Sequence, residues 1–310
     1  MKIIFFGTSD FAVPALAGLC LSRHKILAVV TAPDEKKGRG QKMSFSPVKD
    51  FAQERGLTVF QPRDLRERSF IRELRAQHAD LFAVAAYGKI LTKEVLQIPR
   101  QYAINLHCSL LPKYRGAAPV NWAIIRGERT SGVTVFKMNE FMDQGDIILQ
   151  QATEILPSDT SSILSQRLAC IGTETLLKSI ALVEQGRLVL TEQNDTQASF
   201  APKLQKADGR INWSMAAIDI HNRVRGLQPW PGAFTYWDNK LLKVCRSAVV
   251  SGEQSASAGD ILDIDPCGGI LVQTGREKLL IEELQLAGKK RMSAGSFVLG
   301  HRITRGIRLG

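Results

Sequence analysis

The chain has 310 residues, of which 44% are hydrophobic, and this predicts one large or two ordinary domains. Its five cysteines are far apart and form no CxxC pair, so we expect free thiols in a reducing compartment and no metal site. The apolar run at residues 3–6 is too short for a signal peptide, and no run approaches a membrane span. We therefore expect a cytoplasmic protein, and its net charge of +11 favours a polyanionic partner.

Residues 1–190 alternate between β-rich runs and helical segments. Strands are predicted at residues 2–6, 26–31, 57–60, 81–86, 102–108, 132–138 and 147–155. Helices are predicted at residues 11–21, 47–55, 67–77, 120–126 and 161–185. Between the second strand and the second helix lies a long basic loop at residues 33–45, which has no apolar period. This alternation predicts a Rossmann-like, mainly parallel sheet with helices on both faces.

The pattern changes after residue 190. Residues 191–206 are polar and contain Pro202, so we interpret them as a linker. One helix at residues 215–225 then precedes short strands at residues 233–237, 241–250, 259–264, 269–273 and 278–286. Short strands separated by Gly, Asp and Pro turns are typical of a small barrel of the OB type. We therefore predict two domains, at residues 1–190 and 207–310.

The strand at residues 102–108 carries an unusual set of polar residues. Asn105, His107 and Ser109 occupy alternate positions, so they point to one side of an extended chain, and Pro112 ends the strand. Polar groups at the carboxyl end of a strand are typical of an α/β active site. Cys108 should point to the opposite side, towards the core.

An amide and an imidazole can both hydrogen-bond a developing oxyanion, and imidazole can also move a proton near neutral pH. No GxSxG elbow is present, which favours direct attack of a substrate amine on a carbonyl over a covalent intermediate. Such a site needs a carboxylate to orient or deprotonate its partners. We select Asp143, in the turn after the strand at residues 132–138, with Gly145 allowing a tight backbone. If that strand neighbours the motif strand, the turn lies at the same carboxyl edge; an ordinary Asp-Gly turn is the alternative.

These motifs resemble a known signature. Asn105-x-His107-x-Ser109-Leu110-Leu111-Pro112-Lys113-Tyr114-Arg115-Gly116, followed by Asp143-x-Gly145-Asp146, is similar to that of the 10-formyltetrahydrofolate-dependent formyltransferases. The longer pattern resembles the members that act on initiator tRNA, and it spans almost the whole chain. Its other matching segments are Gly7-Thr8-Ser9-Asp10-Phe11, Gly38-Arg39-Gly40, Gly116-Ala117-Ala118-Pro119, Asn212-Trp213, Pro229-Trp230-Pro231 and Ala287-Gly288-Lys289-Lys290. Ser9 departs from the proline common in the first turn.

The resemblance implies transfer of a formyl group from 10-formyltetrahydrofolate to the α-amine of methionine on initiator tRNA, by a monomer without a metal. It implies Asn105, His107 and Asp143 as the catalytic residues. The implied folate-binding residues are Ser109, Leu110, Leu111, Pro112, Tyr87, Gly88 and Ile90. The basic clusters are the implied tRNA-binding residues: Lys36, Lys37, Arg39, Lys42, Lys289, Lys290 and Arg291.

Three alternatives remain open. A formyltransferase acting on an amino-sugar nucleotide shares the motif, although the basic loop and Gly116-Ala117-Ala118 favour tRNA. A purine-pathway formyltransferase would be about one domain long and would need a phosphate-binding first turn, for which Thr8-Ser9-Asp10 is poorly suited. A non-catalytic RNA-binding protein could keep the fold, but the intact set at positions 105, 107 and 143 argues against it.

Overall fold

A computed structural model describes residues 1–37, 42–265 and 267–310 of the chain. These residues divide into two compact units. The first contains Met1–Pro119, Thr130–Glu154 and Ser165–Pro202, and the second contains Val120–Arg129, Ile155–Leu164 and Lys203–Gly310. Most of the segment that we interpreted as a linker thus groups with the first unit. The predicted bounds of the two domains remain an interpretation of the sequence.

The described residues of the first unit form a seven-stranded, mainly parallel sheet. The strands of this part of the chain are β1 (Lys2–Gly7), β2 (Lys25–Val30), β3 (Glu35–Lys37), β4 (Lys42–Ser44), β5 (Val59–Phe60), β6 (Leu81–Ala85), β7 (Tyr102–His107), β8 (Arg115–Gly116), β9 (Thr130–Lys137), β10 (Ile147–Glu154) and β11 (Phe200–Ala201). The strand order in the sheet is β10-β9-β7-β6-β1-β2-β5. The five neighbouring strands pair in parallel, in the order β7, β6, β1, β2 and β5. Strand β9 runs antiparallel to both of its neighbours, β7 and β10.

Helices cover both faces of this sheet, as predicted. Those of the first unit are α1 (Ala12–Leu21), α2 (Pro47–Glu54), α3 (Arg68–Ala76), α4 (Lys93–Leu96) and most of α6 (Ser161–Glu184), whereas α5 (Pro119–Ile125) groups mostly with the second unit. One face carries Phe6 and Phe82 in a buried cluster with Leu74 of α3 and Val95 of α4. The opposite face carries Leu106, which meets α6. Because β2 and β6 flank β1 on opposite sides, the strand order reverses at β1, and such switch points are the usual ligand sites of open α/β sheets.

Local sequence explains several of these elements. The Ser46 hydroxyl accepts a hydrogen bond from the Lys49 backbone N–H at 3.0 Å, and Pro47 follows as the first residue of α2. In α3, three apolar residues share one buried face. Strand β6 is buried at all five residues, as its continuous apolar run predicts.

The basic loop at residues 33–45 has more structure than predicted. β3 and β4 pair as an antiparallel ribbon, with Lys36 opposite Met43. Backbone hydrogen bonds hold such a ribbon, so it needs no apolar period, and a search for that period overlooks it. Next to the ribbon in the chain, Asp34 forms an ion pair with Lys49. Residues 38–41, and with them Arg39, lie outside the described residues.

The second unit is built on an antiparallel sheet. Its elements are α7 (Ala217–Gly226), β12 (Ala233–Trp237), β13 (Lys240–Val250), β14 (Ile261–Asp265), β15 (Gly269–Gln273), β16 (Lys278–Leu286), β17 (Met292–Ser293) and α8 (Ala294–Gly300). The strand order is β12-β13-β16-β15-β14, with β17 beside β16. Val244, Ile281, Leu284 and Phe297 lie in its core.

The carboxyl-terminal residues connect the two edges of this sheet. In the part of the chain that the structure describes, no ladder joins β12 directly to β14. Instead, the Ile261 N–H donates to the Ile307 carbonyl at 2.8 Å, and the Gly310 N–H donates to the Tyr236 carbonyl at 3.1 Å. The antiparallel sheet is therefore OB-like, with an irregular tail in place of a direct closing ladder. No helix among the described residues is both long and apolar enough to cross a bilayer.

Candidate active site

A cavity of about 430 Å³ opens at the carboxyl ends of β6 and β7. Its wall includes Asn105, His107 and Asp143, so the structure brings the three predicted catalytic residues together. The apolar side chains of the wall include Val84, Leu91, Phe136 and Met138. The combination of an apolar wall with a few convergent polar groups is characteristic of small-molecule sites.

The path of the chain to Asp143 differs from the one we expected. Strand β9 neighbours β7, but the two are antiparallel, so the carboxyl end of β9 lies beside the start of β7 and not beside its end. The loop at residues 138–146 returns from there, because Gly145 lies against Phe136, which is opposite Asn105 in the ladder. The Asp143 turn therefore lies near His107 because the loop at residues 138–146 turns back along β9, and not because β7 and β9 run in the same direction.

The hydrogen bonding of His107 fixes which of its nitrogens carries a proton. The Nε2 atom lies 2.9 Å from the backbone carbonyl oxygen of Tyr114. A carbonyl only accepts, so Nε2 carries a hydrogen and donates it. In the neutral imidazole, Nδ1 is therefore unprotonated. It lies 3.7 Å from Oδ2 of Asp143, and both side chains are largely buried.

Asp143 is held by its backbone and by its carboxylate. Its φ is +55°, a left-handed conformation that residues other than glycine rarely adopt. Its Oδ2 accepts a hydrogen bond from the Gly116 N–H at 2.8 Å. Gly116 has φ +119°, and a Cβ at this position would lie 2.8 Å from the Ala201 carbonyl oxygen. The backbone of β8, paired with β11, thus places a donor beside the carboxylate.

Two polar residues beneath the Asp143 turn are absent from the site that we predicted from sequence. Gln193 donates from Nε2 to the carbonyl oxygens of Asp143 and Gly145, at 2.9 and 2.8 Å. Its Oε1 accepts from Arg115, which is only 2% exposed. Arg115 lies in the motif, but Gln193 is 78 residues away in the chain. This glutamine is recognised as part of the site only from its burial, which the sequence does not reveal.

The predicted folate-binding residues fall into two groups. Tyr87, Gly88 and Ile90 line the cavity. Burial raises the pKa of the Tyr87 hydroxyl to about 12, and this oxygen has no hydrogen-bond partner among the described residues. Ile90 is 66% exposed at the rim, as is Phe141 at 60%. These residues give the opening an apolar rim.

The second group, Ser109, Leu110, Leu111 and Pro112, does not line the cavity in the described structure. Ser109 donates from its hydroxyl to the Lys113 carbonyl at 2.6 Å. The Leu111 N–H donates to Thr134 Oγ1, and Gln150 donates to the Leu111 carbonyl. This segment is a hydrogen-bonded turn after β7, and its assignment to folate binding stays a prediction.

Cys108 lies in the cavity wall and is half-buried, so our expectation that it faces the core is wrong. The reason is that β7 ends at His107, one residue earlier than predicted, so the side-chain alternation of a strand stops before Cys108. Burial, and to a smaller extent the Asp143 carboxylate, raise the pKa of its thiol to about 12. The protonated thiol is a poor nucleophile.

The basic residues occupy two hairpins. Lys36, Lys37 and Lys42 lie in the β3–β4 ribbon. Lys289 and Lys290 are exposed in the turn between β16 and β17. Arg291 is exposed as well, but it forms an ion pair with Glu283, which offsets part of its charge. Among the described residues no cluster of His, Cys, Asp and Glu could hold a metal ion.

Comparisons with known proteins agree with this architecture. Residues 1–180 match the family model described as formyl transferase, and residues 203–302 match the formyl transferase C-terminal domain. The methionyl-tRNA formyltransferase of Alkaliphilus oremlandii is 44% identical over 311 residues, covering 100% of both chains. That of Clostridioides difficile is 43% identical over 310 residues, again covering 100% of both.

Solved structures share the fold at lower identity. A sugar 3N-formyl transferase, crystallised in the presence of dTDP and 5-N-formyl-THF, has a TM-score of 0.69 at 20% identity, covering 94% of this chain and 99% of that one. An N-formyltransferase from Helicobacter canadensis, in complex with folinic acid and dTDP-3-aminofucose, has a TM-score of 0.66 at 19% identity, covering 91% and 98%. With both domain models matched and full-length relatives above 40% identity, the chain belongs to the formyl transferase family.

Proposed function

We propose that this protein transfers the formyl group of 10-formyltetrahydrofolate to the α-amine of methionine on initiator methionyl-tRNA. The observation that carries the proposal is the convergence of Asn105, His107 and Asp143 on one cavity. The full-length relatives named methionyl-tRNA formyltransferase support tRNA as the acceptor. We further propose that the protein acts as a cytoplasmic monomer in translation initiation.

The cavity suits the formyl donor in size and chemistry. Its volume of about 430 Å³ lies in the usual range for small-molecule sites, and its apolar wall suits a flat aromatic ring. Tyr87, Gly88 and Ile90 would line the part that holds the pterin. We keep Ser109, Leu110, Leu111 and Pro112 as candidate folate-binding residues whose contacts require the bound ligand.

The chemistry follows from the donors and acceptors around the cavity. 10-Formyltetrahydrofolate supplies a formyl carbon bonded to the nitrogen N10. In the transfer, the amine nitrogen bonds to this carbon, the bond to N10 breaks, the amine loses a proton and N10 gains one. Asn105 donates from its amide to the formyl oxygen as negative charge develops there. Removing such a donor typically costs about 10²–10³ in rate.

We assign the proton transfer to His107, with Asp143 as its partner. Because the Nε2–H of His107 donates to the Tyr114 carbonyl, Nδ1 is the ring nitrogen that can act as a base. Nδ1 accepts the amine proton, and the Asp143 carboxylate, 3.7 Å away, stabilises the imidazolium that forms. The protonated ring then donates its proton to the departing nitrogen. The separation of 3.7 Å also leaves room for adjustment when an amine hydrogen enters between the two groups.

Two groups of basic residues would attract the phosphates of the tRNA. One comprises Lys289, Lys290 and Arg291 in and beside the β16–β17 turn. The other comprises the three lysines of the β3–β4 ribbon together with Arg39. Lysine and arginine contacts to phosphates supply affinity and position without reading base sequence. The choice of initiator over elongator tRNA must then come from other contacts.

The decisive experiment is a formyl transfer assay with the purified full-length protein and 10-formyltetrahydrofolate. The acceptors are initiator methionyl-tRNA, elongator methionyl-tRNA and an amino-sugar nucleotide, assayed side by side. We expect formylmethionine from the initiator and far less from the elongator. Transfer to the sugar alone would favour the amino-sugar alternative, and RNA binding without any transfer would favour the non-catalytic one.

A further inference from the structure

Gln193 is a buried amide whose oxygen and nitrogen are both fully engaged in hydrogen bonds. It lies at 8% exposure in the segment after α6, which carries no residue of the predicted catalytic site. Its Oε1 accepts from Arg115 Nε at 3.1 Å and from Nη2 at 2.8 Å. Its Nε2 donates to the carbonyl oxygens of Asp143 and Gly145. A buried amide with four such bonds is a rigid element.

Only one orientation of this amide satisfies all of its hydrogen-bond partners. A guanidinium donates and never accepts, so the Gln193 oxygen must face Arg115 and the NH₂ group must face the turn. Arg115 is itself fixed, because its Nη2 also pairs with Asp195 Oδ1 at 2.7 Å. Two residues that are distant in sequence thus direct a pair of donors at the backbone around Asp143.

The turn that receives these donors is one that needs external support. Asp143 holds a left-handed φ, which persists only when surrounding contacts impose it. Gln193 binds the carbonyl on each side of Gln144 and so sets the path of the backbone. The Gly116 N–H then sets the direction of the Asp143 carboxylate. Backbone position and side-chain direction are therefore controlled by different elements.

We infer that Gln193 is a positioning residue for the reaction, which acts by holding the Asp143 turn so that the carboxylate faces Nδ1 of His107. This inference rests on the proposed function only in taking Asp143 as part of the catalytic machinery. Arg115 has the accompanying role of fixing the amide. The segment between α6 and β11 is therefore part of the active-site scaffold.

The test compares two substitutions of Gln193 with a matched control. Gln193→Ala removes all four hydrogen bonds. Gln193→Glu keeps the pairing with Arg115 but turns an acceptor oxygen towards the two carbonyls, so it isolates the donated bonds. The control is Gln273→Ala, because Gln273 is buried as well and donates from Nε2 to two carbonyls, those of Thr274 and Glu277, in the second unit.

Each full-length variant is assayed for kcat, for KM with both substrates and for thermal unfolding. We expect both Gln193 variants to lower kcat by about 10- to 100-fold, because a misplacement of about 1 Å can cost that much. Both KM values should stay within about threefold, since most of the cavity wall lies outside the Asp143 turn. Gln273→Ala should unfold at a lower temperature with the same kcat. This split between kcat and KM separates positioning from a general loss of stability.

Folded Gln193→Glu protein with wild-type kcat would overturn the inference, and so would an equal loss of kcat in Gln273→Ala. Wild-type protein that formylates no tRNA would overturn the proposed function instead. In that event, a crystal structure of Gln193→Glu still decides about Gln193. We expect the Asp143 carboxylate to move away from His107, and an unmoved turn would refute the positioning role.

Discussion

Replacing Gly145 by alanine should disable the proposed active site without changing any of the three proposed catalytic side chains. A Cβ built on Gly145 lies 1.7 Å from the Lys137 carbonyl oxygen and 3.1 Å from a ring carbon of Phe136. The carbonyl belongs to β9, whose ladder with β7 and β10 resists movement. The turn must therefore shift, and a normal contact distance requires a displacement of about 1 Å or more.

This shift acts on Asp143, two residues earlier in the same turn. Misplacement of a catalytic group by about 1 Å costs roughly 100-fold in rate, so we expect Gly145→Ala to lower kcat by about that factor. Folate affinity should change much less, because most of the apolar wall of the cavity comes from residues outside the loop at residues 138–146. The assay is formyl transfer at saturating substrates, together with tetrahydrofolate binding and thermal unfolding.

A suitable control is Gly300→Ala in α8, where an added Cβ meets no atom within 4 Å. Alanine is the better helix former, so this control should keep full activity and stability. Folded Gly145→Ala protein that retains a kcat within about threefold of the wild type would contradict this expectation. Such a result would mean that the Asp143 turn tolerates movement.

Asn105, the pair Lys289 and Lys290, and Cys108 each allow a direct test. Asn105→Ala should lower kcat by about 10²–10³ with the fold intact, and near wild-type kcat would remove Asn105 from the oxyanion site. The double substitution Lys289→Ala with Lys290→Ala should reduce the slope of log KM for tRNA against log salt concentration by about one to two units, while KM for folate stays constant. An unchanged slope would mean that these lysines do not contact the tRNA phosphates. Because burial raises the pKa of its thiol, Cys108 should resist iodoacetamide at pH 8. Peptide mass spectrometry should show the exposed Cys170 labelled, and equal labelling of Cys108 would contradict its protonated state.

Regular elements were predictable wherever one local signal dominated. The continuous apolar run of β6 and the capped start of α2 predicted both elements to within a residue or two. The β3–β4 ribbon was not predictable in the same way, because backbone pairing holds it without an apolar pattern. Helix α8 was missed because Gly295 and Gly300 within it weaken the helical signal.

The candidate site shows the same division between local and distant information. Asn105 and His107 share a strand, so their common direction follows from the period of two. The position of Asp143 did not follow from strand order, because β9 is antiparallel to β7 and the loop at residues 138–146 must return to reach His107. The predicted direction of the Cys108 side chain is wrong because β7 ends at His107, so the alternation of a strand does not extend to Cys108.

Neither the period of a strand nor the order of the strands predicts the residues that support Asp143. Gly116 and Gln193 hold the Asp143 turn, and Arg115 holds Gln193, through contacts that span 27 to 78 residues of sequence. Nothing local distinguishes Gln193 from the polar residues around it, and polar composition alone predicts a solvated linker. What distinguishes it is the requirement that a buried amide satisfy every donor and acceptor. That requirement can be applied only after the fold has placed the amide. It then gives Gln193 a specific role, because its two donated hydrogen bonds hold the left-handed backbone that turns the Asp143 carboxylate towards His107.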